Sequence, residues 1–466
     1  PSSVTVTRPN ADAHCSMHRE CLFLETVRSM EGLAFSSLGR TQWRTQAEVL
    51  AVQGPGRTKP APLTVVGTER GAVQRTEPRA RLNGVVALCA TAATLAGQKL
   101  RRSWRGRSIA RRVKAANVAS LEGPKMCIVV YGGTGYIGRA AVLELAARGH
   151  KVVVCTRSSS GIGGQQSLQD VQECFTGEGD ITVMEADVTD PTALDQLYAN
   201  LPAVQGAVCC LASRSGGRQD SFDIDYQATV NCIEASRRAG LQQFVLLSAV
   251  CVQRPLLAFQ EAKLKAEAEL CQEGQMAYSI VRPTAFFKSL LGQVKGVKGG
   301  APFVMFGDGT EVRCKPISEE DLASFMADCF WDPAKKNAIL PIGGPGPALS
   351  FKEQGELLFS LIGEKPNFIC VPYGVFDFVQ GILDFIAGLI PSQSDLAEYG
   401  RIGRYYAEQS MLVLDPATGK YSEELTPSYG RTDLRAFLTD ALQEGSKKLE
   451  SQQLGDQGLG NRLGVE

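Results

Sequence analysis

Two side chains in the segment FQEAKLKAEAEL (259–270) indicate what chemistry this sequence could perform. Phe259 and Lys263 stand four positions apart, about one helical turn, so their side chains point the same way. A lysine there can place a positive charge beside a reacting group. A tyrosine in the first position could protonate a carbonyl oxygen, but a phenyl ring has no proton to donate. The spacing places the two side chains together but leaves open which reaction would keep the lysine and dispense with the phenol.

The segment MCIVVYGGTGYIGRAAVLELAARGHKVVVCTR (126–157) predicts a buried strand, a glycine turn, a helix and a second buried strand. In that context the glycines let a dinucleotide's pyrophosphate approach the backbone, and the helix N-terminus faces the phosphates with free N–H groups. The turn and the start of the helix are therefore predicted to bind the cofactor: Gly132, Gly133, Thr134, Gly135, Tyr136, Ile137 and Gly138.

The end of the second strand indicates which cofactor binds. No Asp or Glu follows that strand to hold a ribose 2′-hydroxyl, whereas Arg157 offers a planar fork for a 2′-phosphate. An ordinary surface arginine is the alternative. The sequence favours NADPH over NADH.

Strand and helix patterns alternate six or seven times to about residue 300, which predicts a Rossmann-type doubly wound parallel sheet. Ligands in such sheets lie beyond the carboxyl ends of the strands. The residues expected there are Asp187, Leu211, Ala212, Ser213, Ser248, Arg282, Pro283 and Thr284.

The chain is predicted to have four parts. A leader (1–120) precedes the NADP-binding domain (124–300), a smaller α+β part (301–443) covers the substrate, and a Gln-, Gly- and Lys-rich tail (444–466) is flexible. The segment 373–391 is an aromatic helix whose role stays open between core or interface, a lid over an apolar ligand, and contact with a membrane surface.

The leader carries 16 Arg and 3 Lys against 7 Asp and Glu, so its net charge is +12 and the rest of this neutral chain carries −12. Its Arg-rich, acid-poor composition is typical of organelle targeting, with a nucleic-acid-binding arm as the alternative. The apolar stretch 84–97 is shorter than a membrane span of about 20 residues. It fits the hydrophobic part of a targeting segment or a short packed helix.

Histidine and cysteine usage limits the other kinds of chemistry. The 14 Cys include no C-x-x-C pair, and His150 is the one histidine outside the leader. Buried reduced thiols are the expected role of such cysteines. Catalytic triads built on histidine and protein metal sites are therefore not expected.

Several strings together resemble the NADPH-dependent plant and algal divinyl chlorophyllide a 8-vinyl-reductases, which are atypical short-chain dehydrogenases/reductases. The similarity runs from about Lys125 to about Tyr429. Its most specific strings are RPLLAFQEAK and RPTAFFKS, and it also includes GGTGYIG, LASRSGG, DYQATVN, FVMFGDG, LPIGGPG and IGRYYAEQSMLVLDPATG.

The resemblance implies reduction of an 8-vinyl group to ethyl, on divinyl chlorophyllide a or divinyl protochlorophyllide, in the plastid. A conjugated tetrapyrrole spreads the charge that develops when hydride reaches carbon, so no phenol is needed. Phe259 could stack on the macrocycle, and Lys263 could hold the nicotinamide ribose. The proton source stays open among Tyr226, Ser248, Lys263 and water.

Further expectations follow from the resemblance. The substrate brings its own magnesium, its propionate could meet Arg214, Arg218 or Lys288, and a peripheral contact with plastid membranes suits so apolar a ligand. Partner proteins stay unknown, and nucleic acid is not an expected partner. Two other functions remain: another NADPH-dependent C=C or quinone reductase, and a non-catalytic NADP-binding assembly or regulatory protein.

Overall fold

The structure, a computed structural model, describes residues 124–160, 166–272, 274, 276–389 and 394–444. The leader 1–120, including its apolar stretch 84–97, lies outside the described residues, as does the tail after residue 444. The fold below concerns the described residues alone.

Seven parallel strands form the main sheet. In chain order they are β1 (Cys127–Tyr131), β2 (Lys151–Thr156), β5 (Ile181–Glu185), β6 (Gly206–Cys209), β7 (Gln243–Leu247), β8 (Ala277–Pro283) and β11 (Ala338–Ile342). Their order across the sheet is β11-β8-β7-β6-β1-β2-β5, which confirms the predicted doubly wound sheet. Because β1 lies between β2 and β6, the crevice for a ligand opens beyond the carboxyl end of β1.

The strands are hydrophobic on both faces because helices cover both faces. Ile128 and Val130 point into one core, and Val129 and Tyr131 point into the other, as the two-residue period of a strand requires.

The α-helices are α1 (Tyr136–Ala147), α2 (Leu168–Phe175), α3 (Pro191–Ala199), α4 (Arg218–Asp220), α5 (Thr229–Arg238), α6 (Ala258–Leu270), α7 (Val294–Lys298), α8 (Glu319–Asp328), α9 (Phe351–Ile362), α10 (Gly374–Leu389), α11 (Ser394–Glu408) and α12 (Leu434–Glu444). Short 3₁₀-helical segments occupy Val250–Gln253, Phe287–Gln293 and Pro333–Lys335. None of the helices that the structure describes has the length and apolar character of a membrane span.

The second half of the chain supplies β11 to the main sheet and α8 to one of its faces. It also forms a separate core around Phe287, Phe303 and Phe359. The short strands pair two by two: β3 (Ser159–Ser160) with β4 (Gln166–Ser167), β9 (Phe303–Phe306) with β13 (Phe368–Val371), β10 (Arg313–Cys314) with β12 (Leu349–Ser350), and β14 (Val413–Leu414) with β15 (Tyr421–Ser422). The boundary at residue 300 stays a prediction.

One local departure from the sequence pattern bears on the site. Helix α5 is preceded by a π-helix over Ser221–Ala228, which no hydrophobic period of the sequence indicates, and β6 ends at Cys209. The hydroxyl of Thr229 donates to the carbonyl of Ile224, five residues back. The wider turn carries one of the residues that contact Lys263, and π-turns of this kind are frequent at functional sites.

Candidate active site

The glycine turn after β1 has the geometry that a pyrophosphate requires. Gly132 has a φ of +72°, and a Cβ there would lie 2.8 Å from the carbonyl oxygen of Cys210. A Cβ on Gly138 would overlap the carbonyl oxygen of Gly132. Helix α1 follows with no side-chain cap and no acidic residue in its first turn. The turn and the open helix N-terminus therefore fit an anionic dinucleotide.

Two arginines lie near the expected position of the adenosine ribose. Arg157 follows β2, Arg214 lies in the loop after β6, and both are exposed. Burial, and next the positive charge of Arg157, lower the pKa of the Arg214 guanidinium. Asp220 acts on Arg214 in the opposite direction. A guanidinium at the end of β2 is the group that would suit a 2′-phosphate.

The other predicted strand-end residues line the same edge of the sheet. Asp187 lies after β5 and accepts hydrogen bonds from the backbone N–H and the hydroxyl of Thr189, at 2.9 and 2.7 Å. Leu211, Ala212 and Ser213 form the loop after β6. Pro283 and Thr284 are buried at the end of β8, where the hydroxyl of Thr284 donates to the carbonyl of Lys315 at 2.5 Å.

Lys263 forms an ion pair with Asp225, which the sequence analysis did not single out. The Lys263 Nζ lies 2.9 Å from Asp225 Oδ1, with side-chain exposures of 13% and 1%. Lys263 also donates to the carbonyl of Leu211 at 3.4 Å. Asp225 Oδ2 accepts the backbone N–H of Ser213 at 3.2 Å. The pair thus ties α6 to the loop that is predicted to contact the cofactor.

The surroundings of Lys263 keep it charged. Burial lowers the pKa of this lysine, but the charge and hydrogen bond of Asp225 outweigh that effect and raise the pKa above its ordinary value. Burial also raises the pKa of the neighbouring Cys209 to about 11 and raises that of Cys251. Both thiols are therefore neutral near pH 7, and Asp225 is the negative charge that faces the ammonium.

Ser248 and Arg282 belong to a second buried network, organised by Glu267. The hydroxyl of Ser248 donates to Glu267, and the Arg282 guanidinium donates to the same carboxylate through Nε, at 3.1 Å, and through Nη2. Glu267 is one helical turn after Lys263. Both predicted site residues are thereby engaged in joining β7, β8 and α6.

The two aromatic candidates lie in different surroundings. Phe259 is half-buried against Val250, Leu257 and neighbouring apolar residues. The ring of Tyr226 lies 5.9 Å from the ammonium of Lys265. Lys265 is two residues after Lys263, so its side chain points about 200° away from that of Lys263 around α6. The structure therefore keeps Phe259 beside Lys263 and places Tyr226 towards the exposed side of the helix.

Tyr136, in the first turn of α1, is fixed by two residues from the second half of the chain. Its hydroxyl donates to Glu319, and the Lys288 ammonium lies 4.9 Å from the centre of its ring. Burial, and then the Glu319 charge, raise the pKa of this phenol well above its ordinary value. The tyrosine therefore stays neutral. Lys288, a candidate for the substrate carboxylate, lies at the glycine turn.

Helix α11 is joined by three hydrogen bonds to the start of α6, to the segment after β7 and to α4. Glu398 accepts the backbone N–H of Ala258 at 2.7 Å, and the hydroxyl of Tyr405 donates to the carbonyl of Cys251 at 3.0 Å. Asp395 Oδ1 accepts the backbone N–H of Arg218 at 3.3 Å.

Asp225, Glu267 and Glu398 are the functional positions that the sequence analysis missed. Glu267 had a detectable signal, an acid one turn from Lys263 on the same helix face. Asp225 stands in the string DYQATVN, but 38 residues separate it from Lys263, so no spacing connected the two. Glu398 had no signal, because 135 residues separate it from Lys263. The described residues hold no group of three or more His, Cys, Asp and Glu side chains that could bind a metal ion.

The parallel sheet, the glycine turn and the lysine on α6 define an NAD(P)H-binding α/β protein. Residues 132–333 match the protein family described as NAD(P)H-binding. UDP-glucose 4-epimerase from Thermotoga maritima shares the fold, with a TM-score of 0.50 and 16% identity over 70% of this chain and all of that chain.

Proteins of known function that are similar in sequence identify the family within this class. The chloroplastic divinyl chlorophyllide a 8-vinyl-reductase of Zea mays is 53% identical over 342 residues, which cover 72% of this chain and 84% of that protein. The protein of the same name from Arabidopsis thaliana is 52% identical over 71% of this chain and 79% of its own length. The chain belongs to the divinyl chlorophyllide a 8-vinyl-reductase family.

Replacing Asp225 by asparagine tests the ion pair. The asparagine amide can still accept the Ser213 N–H, but burial would then lower the Lys263 pKa without an opposing charge. A lysine that must be cationic supports activity below its pKa and loses it as the pH rises through that pKa. The alkaline fall of kcat should therefore occur at lower pH in the variant, with little change in the KM for NADPH.

Asp223→Asn is the matched control, because Asp223 is exposed on the same π-helix and pairs with Gln219. The control should keep the wild-type pH profile. An unchanged alkaline limb in folded Asp225→Asn would show that the carboxylate does not hold the charge on Lys263.

Proposed function

We propose that this protein uses NADPH to reduce the 8-vinyl group of divinyl chlorophyllide a, or of divinyl protochlorophyllide, to an ethyl group in the plastid. One observation carries the proposal: in a chain of this family, a buried and charged Lys263 stands one turn from a phenyl ring. That pair suits hydride transfer to carbon better than reduction of a carbonyl.

The overall reaction converts a –CH=CH₂ group, NADPH and a proton into –CH₂–CH₃ and NADP⁺. The C=C π bond breaks, and two new C–H bonds form on the two vinyl carbons. NADPH, when bound, supplies the hydride. The conjugated macrocycle spreads the charge left by hydride addition, so no hydroxyl group has to protonate an oxygen.

The glycine turn and the open N-terminus of α1 would hold the pyrophosphate, and Arg157 would bind the 2′-phosphate. Lys263 has three donor protons, of which Asp225 and the Leu211 carbonyl engage two. The third is left for the cofactor ribose or the substrate. Phe259 forms an apolar wall one turn away.

The hydrogen bonds and ring contacts of Ser248 and Tyr226 make these two residues less suitable as the source of the proton. The Ser248 hydroxyl donates to Glu267, and the Tyr226 ring lies beside Lys265. Lys263 and water are therefore favoured over these two residues. If Lys263 donates the proton, it would take up another from the solvent water and so regain its positive charge after each turnover.

The substrate is a chlorophyllide-type tetrapyrrole that carries its own magnesium. Its propionate needs a cation, and Lys288 at the glycine turn and the exposed Arg214 and Arg218 are the candidates. The relatives are named as chloroplastic, and the basic leader suits import into the same organelle. A peripheral contact with plastid membranes would bring the enzyme to so apolar a substrate.

The direct test incubates the full chain with NADPH and divinyl chlorophyllide a and separates the pigments by chromatography. The expected product is the 8-ethyl pigment, with one NADP⁺ formed for each vinyl group lost. A reaction without NADPH is the control for light or chemical reduction. Unchanged pigment with active NADPH binding would contradict the proposed function.

Replacing Arg157 by alanine tests the choice of cofactor. The lost charged hydrogen bonds to the 2′-phosphate are worth about 1.5–3 kcal/mol, so the KM for NADPH should rise by roughly tenfold or more. Weak use of NADH should change little, because NADH lacks that phosphate. Steady-state kinetics with both cofactors make the measurement.

Arg238→Ala is the matched control, because this exposed arginine lies on α5 and pairs with Asp195. Its kinetics with both cofactors should stay at wild-type values. If Arg157→Ala weakens NADPH and NADH equally, Arg157 does not bind the 2′-phosphate.

A further inference from the structure

Helix α10 has an apolar side that faces outwards. Phe378 and Phe385 are 65% and 68% exposed, and Ile382 between them is 45% exposed. At 100° per residue these three side chains fall within about 60° of one another. A surface helix of a soluble protein normally has the opposite orientation.

The polar residues of α10 all contact α11. Asp377 pairs with Arg404 at 2.6 Å, and Asp384 pairs with Arg401 at 2.7 Å. Gln380 donates to the carbonyl of Ala397 at 3.2 Å. Both ion pairs are themselves substantially exposed, with Asp377 at 63% and Asp384 at 46%, so each contributes little alone. With the Gln380 hydrogen bond they join one side of α10 to α11. The apolar face, defined here as Phe378, Val379, Ile382 and Phe385, lies on the outer side.

The apolar face stands next to the crevice rather than remote from it. Helix α11, which α10 packs against, contacts the start of α6 through Glu398 and the first residue of α4 through Asp395. A partner bound to the apolar face of α10 would therefore be separated by helix α11 from α6, the helix that carries Lys263.

The size and charge of the apolar face indicate which kind of partner could bind to it. A helix of 16 residues is roughly 24 Å long and 10 Å wide, so one side of it offers about 240 Å². A stable protein interface needs about 800 Å² on each partner. The face is too small to hold a second copy of this chain by itself. Both acids of α10 have arginine partners, so an anionic or a cationic partner gains no unbalanced charge to bind.

We propose that the apolar face of α10 docks onto the surface of a lipid bilayer of low net charge, with the helix lying in the plane of the interface. Interfacial helices bury their apolar side chains about 5–10 Å into the boundary between headgroups and acyl chains. At about 24 Å, the described helix is shorter than the hydrocarbon layer of about 30 Å, so lying in the interface suits it. The inference rests on the membrane contact proposed above and assigns the face of the protein that makes it, and the docking does not depend on which double bond is reduced.

A tryptophan in the face reports docking directly. The full chain with Phe378→Trp is mixed with vesicles of phosphatidylcholine that carries bromine on its acyl chains, and the fluorescence of the wild-type chain, which has three Trp, is subtracted. The added fluorescence should be quenched and shifted to the blue. Leu425→Trp is the matched control, since Leu425 is 49% exposed outside this face, and it should be neither quenched nor shifted.

A second variant tests whether the face drives binding. Phe378→Ser combined with Phe385→Ser should weaken partitioning into phosphatidylcholine vesicles by roughly tenfold for each phenylalanine. NADPH binding should be unchanged, which separates loss of docking from unfolding and from failure of the proposed reaction. Ile339→Ser with Leu425→Ser removes two comparably exposed apolar residues elsewhere and should partition like the wild type.

Four results would overturn the inference. The first is an unquenched tryptophan in the Phe378→Trp chain. The second is wild-type partitioning of the double serine variant, which would indicate that another part of the chain, such as the leader, binds the membrane. The third is a wild-type dimer, without vesicles, that the serine variant loses. The fourth is a serine variant that binds vesicles normally but loses affinity for the pigment in detergent, which would make α10 a lid.

Discussion

The ion pair between Lys263 and Asp225 is the interaction on which the site depends. A buried ammonium costs several kcal/mol to desolvate unless a counter-charge and hydrogen bonds offset that cost. Asp225 supplies both, and with Ser213 and Leu211 it fixes the loop that follows β6. The π-helix presents Asp225 to α6, so an irregular backbone turn determines where the positive charge stands. Removing either partner would leave the other buried and unpaired.

The second network explains why the crevice contains so few free catalytic groups. Glu267 engages both the Ser248 hydroxyl and the Arg282 guanidinium, which join the ends of two central strands to α6. These groups support the position of the helix that carries Lys263. Phe259, on the same helix, packs against an apolar cluster that includes Val250 and Leu257. The arrangement supplies a fixed positive charge and an apolar wall, which suit addition of hydride to a conjugated double bond.

Local patterns predicted most of the fold. Continuous apolar runs between glycines identified the parallel strands, and Gly132 and Gly138 identified the cofactor turn, because both features depend on neighbouring residues. Long-range partners could not be predicted this way: Asp225 and Glu398 reach α6 through tertiary folding, and no spacing connects them to Lys263. The π-helix was missed because a wider turn has no distinct hydrophobic period. The helix predicted within 373–391 is present over Gly374–Leu389. The outward position of its apolar side could not be predicted, because it depends on how the helix packs against α11.

The rate of hydride transfer in a single turnover tests the role of Lys263 most directly. NADPH deuterated at the transferable position is mixed with excess wild-type, Lys263→Ala or Phe259→Tyr protein and divinyl chlorophyllide a, and deuterium in the new ethyl group is followed by mass spectrometry. The wild type should incorporate one deuterium per pigment. Lys263→Ala should slow this step on the order of a hundredfold or more, and Phe259→Tyr should not accelerate it. A wild-type rate in Lys263→Ala, or a large gain in Phe259→Tyr, would contradict this account of the site.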